Sequence, residues 1–208
     1  MNGTAHATVG GAIGFVAANM VQADPSVTFL LVGLGTVSAL VPDLDIDGKL
    51  RGKITLSHKL VRSIAQLIGL LMIIYSFFEG EDNRQYLGMG IGLAMLAISS
   101  RLKQKHMLTL TSVGVIAGGA SLQETWLILF GIYMLIASFV PHRSYTHSII
   151  GVIFFSFIAL KLDESLGIQG VYYTCLAGYI SHLITDSKFL PFNDRGIKLF
   201  LPLSSKDF

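Results

Sequence analysis

Eight apolar runs alternate with short polar stretches along the chain, at roughly 8–22, 27–41, 60–78, 86–100, 107–121, 125–140, 148–161 and 170–185. A helix that crosses a bilayer needs about 20 residues, within a range of about 17–25. Read on that scale, the runs predict about eight transmembrane helices. The third (LVRSIAQLIGLLMIIYSFF) and the sixth (WLILFGIYMLIASFV) are the strongest. The fifth (MLTLTSVGVIAGGAS) is weak and also suits a re-entrant piece. Several runs fall short of a full span, so their polar ends are expected to dip into the interface or a protein-lined cavity. Gly10, Gly11 and Gly14 in the first run, and Gly88, Gly90 and Gly92 in the fourth, predict close approach of helix backbones inside a bilayer. The first run does not read as a secretory signal: no basic residue precedes it, it is rich in glycine, and His6 leads it.

Composition narrows the class. Hydrophobic residues make up 52% of the 208 and charged residues 13%, against roughly 25% charged in an ordinary soluble domain. Mean hydropathy is +0.63. Too few charges remain to coat a water-facing surface, which excludes a soluble globular protein and a disordered chain. One cysteine, Cys175, closes no internal bridge. The net charge of +2 is no nucleic-acid footprint, because the basic residues sit in short loops between apolar runs; no nucleic-acid partner is expected. With no long internal repeat, residues 1–208 read as a single integral membrane domain.

The basic residues orient it. Lys49, Arg51, Lys53, Lys59, Arg62, Arg101, Lys103, Lys105, Arg143, Lys188, Arg195, Lys198 and Lys206 all fall on the side that holds the N-terminus, and only Arg84 and Lys161 on the other. The positive-inside rule then predicts an inner (plasma) membrane protein with both termini cytoplasmic and an even number of crossings. The same side collects all six histidines (His6, His58, His106, His142, His147, His182) and Asp43, Asp45, Asp47 and Asp186. Ionisable residues at the edge of a membrane segment are costly there and point to function.

Their spacing suggests chemistry. His182 and Asp186 in SHLITD are separated by four residues, which puts imidazole and carboxylate on one helix face. That spacing suits two ligands of one metal, a ligand with its supporting carboxylate, or a His–Asp hydrogen bond that closes a helix end. His142 and His147 lie in PHRSYTHS. Pro141 argues against a continuous helix, and a turn there can aim both imidazoles at one point, with Thr146 capping the seventh run and His147 in its first turn. The alternative is two interfacial histidines and a cap. VPDLDIDG (41–48) begins like an EF-hand loop, but position twelve is Ile54 rather than Glu, so calcium fits poorly. In an extended or turning stretch Asp43 and Asp45 share a side; the alternative is an acidic loop balanced by Lys49, Arg51 and Lys53. A lone His6 is ordinarily an interfacial residue, and His58 and His106 lie among basic residues near headgroups. Taken together, four histidines and two or three aspartates from four segments make a mixed nitrogen and oxygen set suited to Zn, Mn or Fe. They outnumber the four ligands of a structural zinc site, which points to one or two ions with open positions and metal-activated water.

The series GTAH, PDLD, HRSYTHS and GYISHLITD, in that order, resembles the bacterial membrane-bound metal-dependent hydrolase family. That family is distantly related to zinc-dependent phospholipase C and the single-strand nucleases of its superfamily, helical enzymes that cleave phosphoesters with a metal cluster. The resemblance implies a ligand set of His6, Asp43, Asp45, His142, His147, His182 and Asp186. The sequence departs from the pattern at Ile46, where the family carries His. The third to sixth apolar runs, roughly 60–140, read as largely an insertion relative to compact members. After Asp186, Phe189, Phe192, Phe200 and Phe208 mix with Lys188, Arg195 and Lys198, which suits a segment at the interface, either a flap beside the metal site or a simple anchor.

The expectation is therefore an all-α polytopic membrane protein with a metal site in a polar cavity at the cytoplasmic membrane interface. The expected activity is hydrolysis of a phosphoester, of a phospholipid or other small amphiphilic phosphate. In that reading Asp45 or Asp186 serves as general base and Arg143 stabilises the developing charge. Membrane lipids are the expected partners, and a divalent metal, Zn before Mn or Fe, the expected cofactor. The alternative from another class is a metal or ion transporter, whose binding station would lie near the bilayer midplane rather than at one edge.

Overall fold

A computed structural model describes residues 2–44, 57–80, 82–102, 104–141, 143–188 and 196–208. These residues form eight α-helices: α1 (Gly3–Met20), α2 (Pro25–Ser38), α3 (His58–Glu79), α4 (Asp82–Ser100), α5 (Gln104–Leu122), α6 (Thr125–Ala137), α7 (Ile149–Leu166) and α8 (Val171–Asp186). Two short 3-10 turns, Val41–Leu44 and Tyr145–His147, interrupt the series, and no strand occurs among the described residues. Each helix coincides with one of the eight apolar runs. Among the described residues α3 is the one helix both long and apolar enough to cross a membrane. Its 22 residues extend about 33 Å at 1.5 Å per residue, against a hydrocarbon core of about 30 Å. The apolar helices α2 and α6 have only 14 and 13 residues.

The chain divides into two compact units, with the boundary between Leu108 and Thr109 inside α5. The smaller unit is built on the α3–α4 hairpin. There a Cβ on Gly92 would lie 2.6 Å from the Gly69 carbonyl oxygen, so the helices meet backbone to backbone as the glycine pattern predicts. Gly90 behaves differently and faces open space.

The larger unit comprises α1, α2 and the chain from Thr109 onward. Asp24 starts α2: its carboxylate accepts from the Ser26 and Val27 amides at 2.8 and 2.9 Å, with Pro25 in the first turn. The Ser26 hydroxyl, with the Val27 amide, holds this carboxyl below its ordinary value. α1 and α2 run antiparallel and touch along Gly10, Gly14 and Gly35, where an added Cβ would collide with the facing backbone. α8 packs on both of them and on α7, which in turn packs on α6. The later part of α5 meets α6, where the Thr109 hydroxyl donates to Ser138 Oγ at 3.0 Å.

This unit buries large side chains such as Leu31, Met134, Phe155 and Tyr179 along with small ones, yet leaves much apolar surface exposed. The buried face of α1 is His6, Gly10, Gly14 and Ala18, while Phe15, Met20, Phe29, Phe139, Phe157 and Tyr173 are exposed. Small residues allow backbones to approach where lipid removes the hydrophobic reason for large ones to meet. Exposed apolar surface on this scale otherwise marks a binding or membrane face.

Candidate metal centre

Helix ends build the site. α1 and α7 begin where α2 and α8 end, so four segments bring side chains to one end of the larger unit. His6 comes from the first turn of α1, Asp43 from the 3-10 turn after α2, His147 from the 3-10 turn before α7, and His182 and Asp186 from the last turns of α8. His6, His147, His182 and Asp186 are buried, and Asp43 nearly so.

The ring nitrogens face one another across very short gaps. His147 Nε2 and His182 Nε2 are 3.1 Å apart. Asp43 Oδ1 lies 3.6 Å from His182 Nε2 and 3.9 Å from His147 Nε2. Asp186 places Oδ1 at 3.2 Å from His6 Nε2 and Oδ2 at 3.9 Å from His182 Nε2. The His6 and His182 rings stack with centroids 3.9 Å apart. Arg143, at φ +60° in the left-handed region, donates from Nη2 to Asp186 Oδ2 at 3.0 Å. Such a backbone is uncommon outside glycine.

Bonds on the outer side of each ring aim these atoms inward. His182 Nδ1 donates to the Ala39 carbonyl at 2.7 Å, so in the neutral ring Nε2 carries the lone pair. The Thr185 hydroxyl donates its one proton to the His182 carbonyl at 3.0 Å. It therefore accepts from His6 Nδ1, also at 3.0 Å, and His6 Nε2 likewise carries a lone pair towards Asp186. His147 Nδ1 meets Thr146 Oγ1 at 3.1 Å. Lone pairs and carboxylate oxygens at these separations repel unless a proton or a cation lies among them. Anchoring the far nitrogen while Nε2 faces the centre is the arrangement that orients histidine ligands.

The separations can be tested against a metal. Ligand atoms about 2.0–2.2 Å from a tetrahedral Zn lie roughly 3.3–3.6 Å from one another. Two sets have their ligand atoms all within 4.8 Å of one another: His6, Asp43 and His182, and His147, His182 and Asp186. The closest pairs run from 3.1 to 3.9 Å, which brackets that spacing, so the residues fit a divalent ion held through the one Nε2 lone pair of His182, with either set around it.

The turn carrying His147 differs from its expected form. Ser148, not Thr146, caps α7, with an extended backbone and a hydroxyl that accepts from Gly151 N. His147 therefore sits before the helix rather than in its first turn. Thr146 holds the His147 ring, and its carbonyl accepts from Tyr179 Oη. Tyr179 is buried, stacks on Phe155 with centroids 4.6 Å apart, and lies 3.0 Å from Tyr133 Oη. Gly178 lets α8 approach α2: a Cβ there would stand 2.8 Å from the Gly35 carbonyl. Asp43 lies in a 3-10 turn, the turning form of the stretch expected there.

Asp45 and His142 lie outside the described residues, as do Asp47 and Ile46. His58 and His106 belong to the smaller unit. The spacing argument missed Thr185, Thr146 and Tyr179. Tyr179 and Thr185 stand three residues before and after His182, on the same helix face, and were legible on that ground; the Ala39 carbonyl left no mark in the sequence. Beyond α8, the described tail closes on itself where Ile197 and Phe208 exchange backbone hydrogen bonds at 2.9 Å. It is tied to the start of α7 by the Ile149 amide, which donates to the Leu199 carbonyl at 2.9 Å. Leu203 and Phe200 are exposed on it.

The model of the YdjM inner membrane protein family matches residues 1–208. The chain belongs to that family. Membership makes it a bacterial membrane protein, and the large apolar side chains exposed on the larger unit accord with that. Neither the curated proteins nor the solved structures contain a match to this YdjM-family chain.

Proposed function

We propose that this YdjM-family protein is a polytopic membrane hydrolase that cleaves a phosphoester of a lipid or other amphiphilic phosphate at the cytoplasmic face. Its helices cross or enter the bilayer together, with both termini inside. The observation that carries the reading is the convergence of three outer-anchored imidazoles and two carboxylates on one point beside a guanidinium.

A divalent ion, Zn before Mn or Fe, supplies Lewis acidity and an activated water when bound. His6, Asp43, His147, His182 and Asp186 hold it, and Asp45 and His142 complete the set. Asp186 has its two oxygens turned to His6 and Arg143, so it serves as ligand and orienting group, and the general-base role passes to Asp45. The side chain of Arg143, 22% exposed, supplies positive charge for a phosphate oxygen. The sequence's tail, pinned beside His147, forms the interfacial flap. A transport station would draw on helix middles; here the candidate ligands come from helix ends, which favours hydrolysis.

Elemental analysis of the detergent-purified protein, run beside a phosphoester-cleavage screen, tests the reading. His147→Ala, His182→Ala and Asp186→Ala should each lose metal and cleavage, while His58→Ala and His106→Ala keep most of both. Equal metal content in all five variants, or metal uptake into vesicles without any cleavage, would overturn it.

A further inference from the structure

The larger unit carries a second feature that the metal centre does not use. A cavity of about 590 Å³ opens between α2, α6, α7 and α8 and is lined almost wholly by apolar side chains. That volume is in the range of small-molecule sites, about 300–1,000 Å³. Trp126 and Leu162 mark one end, Gly33 and Phe155 the middle, and Ser38 and Val41 the other. The second end adjoins the cluster: Val41 shares a 3-10 turn with Asp43, and Ser38 precedes Ala39, whose carbonyl anchors His182. The first end lies a helix length away, because Trp126 opens α6, Leu162 falls late in α7, and both helices have their other ends at the site.

We propose that this groove holds one acyl chain of a membrane lipid, with the chain's methyl end at Trp126 and its phosphate headgroup at the His/Asp cluster and Arg143. This rests on the hydrolase reading for the fate of the headgroup, but not for the binding of the chain. Three observations select a lipid over another apolar occupant. The lining offers hydrocarbon contacts and almost no polar partner, so it suits a chain without hydrogen-bonding groups. From Ser26 to Val41 the groove follows about 15 residues of mostly helical rise, roughly 22 Å, which exceeds one leaflet's share of a core about 30 Å thick. At the far end the lining Ser26 has its hydroxyl committed to the Asp24 carboxylate at 2.6 Å, a negative group that repels a phosphate, whereas the other end adjoins the metal-type cluster with Arg143, so the anionic head is assigned to that end and the apolar body to the lining between. The groove also faces outward past exposed Phe29 and Val37, which gives a bilayer lipid a lateral entry.

Trp126 is the sole tryptophan in the chain, so its fluorescence reports on the far end of the groove alone. The probe is a monoacyl glycerophosphate with vicinal bromines near either the methyl or the carboxyl end, added to the full-length protein in detergent. Quenching should saturate, and methyl-end bromines should quench more strongly than carboxyl-end ones. Gly33 lines the groove and has nothing within 4 Å of a built Cβ, so Gly33→Leu fills the space without striking backbone. It should weaken saturable quenching about tenfold, with Gly33→Ala intermediate. Gly114 on α5 also faces open space and does not line the groove, so Gly114→Leu should match wild type. Non-saturating quenching that Gly33→Leu leaves unchanged, or stronger quenching by carboxyl-end bromines, overturns the proposal. Saturable quenching without cleavage of any phosphoester keeps the groove and removes the hydrolase reading. Cleavage of a short soluble phosphoester without saturable quenching does the reverse.

Discussion

Thr185 gives the sharpest test of the proposed metal centre. Its hydroxyl accepts from His6 Nδ1 and donates to the His182 carbonyl, both at 3.0 Å, so one atom fixes the ring that faces Asp186 and ties it to the helix carrying His182. Thr185→Val keeps the shape of the side chain and removes only the hydroxyl. The His6 Nδ1–H then loses its acceptor in a buried site, which costs about 1–3 kcal/mol. Part of that cost is relieved if the His6 ring turns, and turning takes Nε2 away from the centre. Loss of a group that orients a ligand lowers metal affinity about 10–100-fold, or roughly 1.4–2.7 kcal/mol. Competition for metal against a chromogenic chelator, in the detergent-purified protein, measures this directly. Thr185→Ser should restore affinity, because it returns the hydroxyl. If Thr185→Val held metal as tightly as wild type, His6 would not be aimed by Thr185 and the oriented-ligand argument would fail. If Thr185→Ser were as weak as Thr185→Val, packing of the methyl group rather than the hydroxyl would be the cause.

Tyr179→Phe removes the donor to the Thr146 carbonyl while keeping the stack on Phe155; it should loosen metal binding about tenfold with helix content by circular dichroism unchanged, and a globally unfolded variant would instead make Tyr179 a core residue alone. Cysteines placed singly at positions 58, 106 and 206 should react with an impermeant maleimide only after the inner face is opened, and one at position 84 from outside; external labelling at position 58 would break the one-sided arrangement.

Much of the helical layout was legible in the sequence, for a physical reason. A buried or lipid-facing helix must be apolar over most of its length, so the eight runs located the eight helices among the described residues to within a few residues at most ends. Within the larger unit His6, His147, His182 and Asp186, each read at the edge of an apolar run, do meet at one end, because ionisable groups avoid hydrocarbon and gather near helix ends. Glycines read as close-approach points fall at such points in Gly10, Gly14 and Gly92, but not in Gly90, since periodicity alone does not tell which face meets a neighbour. The pairing of His182 with Asp186 was visible because four residues make about one helical turn.

What only the tertiary structure decided was how distant segments meet. His6 is 176 residues from His182 in sequence, and nothing local distinguishes it from an interfacial histidine; the Gly10–Gly35 and Gly178–Gly35 approaches bring α1, α2 and α8 close enough for its ring to stack on His182. The cap expected at Thr146 falls on Ser148 because a cap is set by backbone geometry, and the 3-10 turn Tyr145–His147 moves the extended residue two places along the chain. The Ala39 carbonyl is a main-chain group that any residue would supply, so only packing could assign it to His182. Composition thus pointed to a membrane protein, in keeping with the family the chain belongs to, because that class depends on sums over many residues. The orientation of each imidazole depends on single contacts across the bundle, and those exist only once the helices have packed.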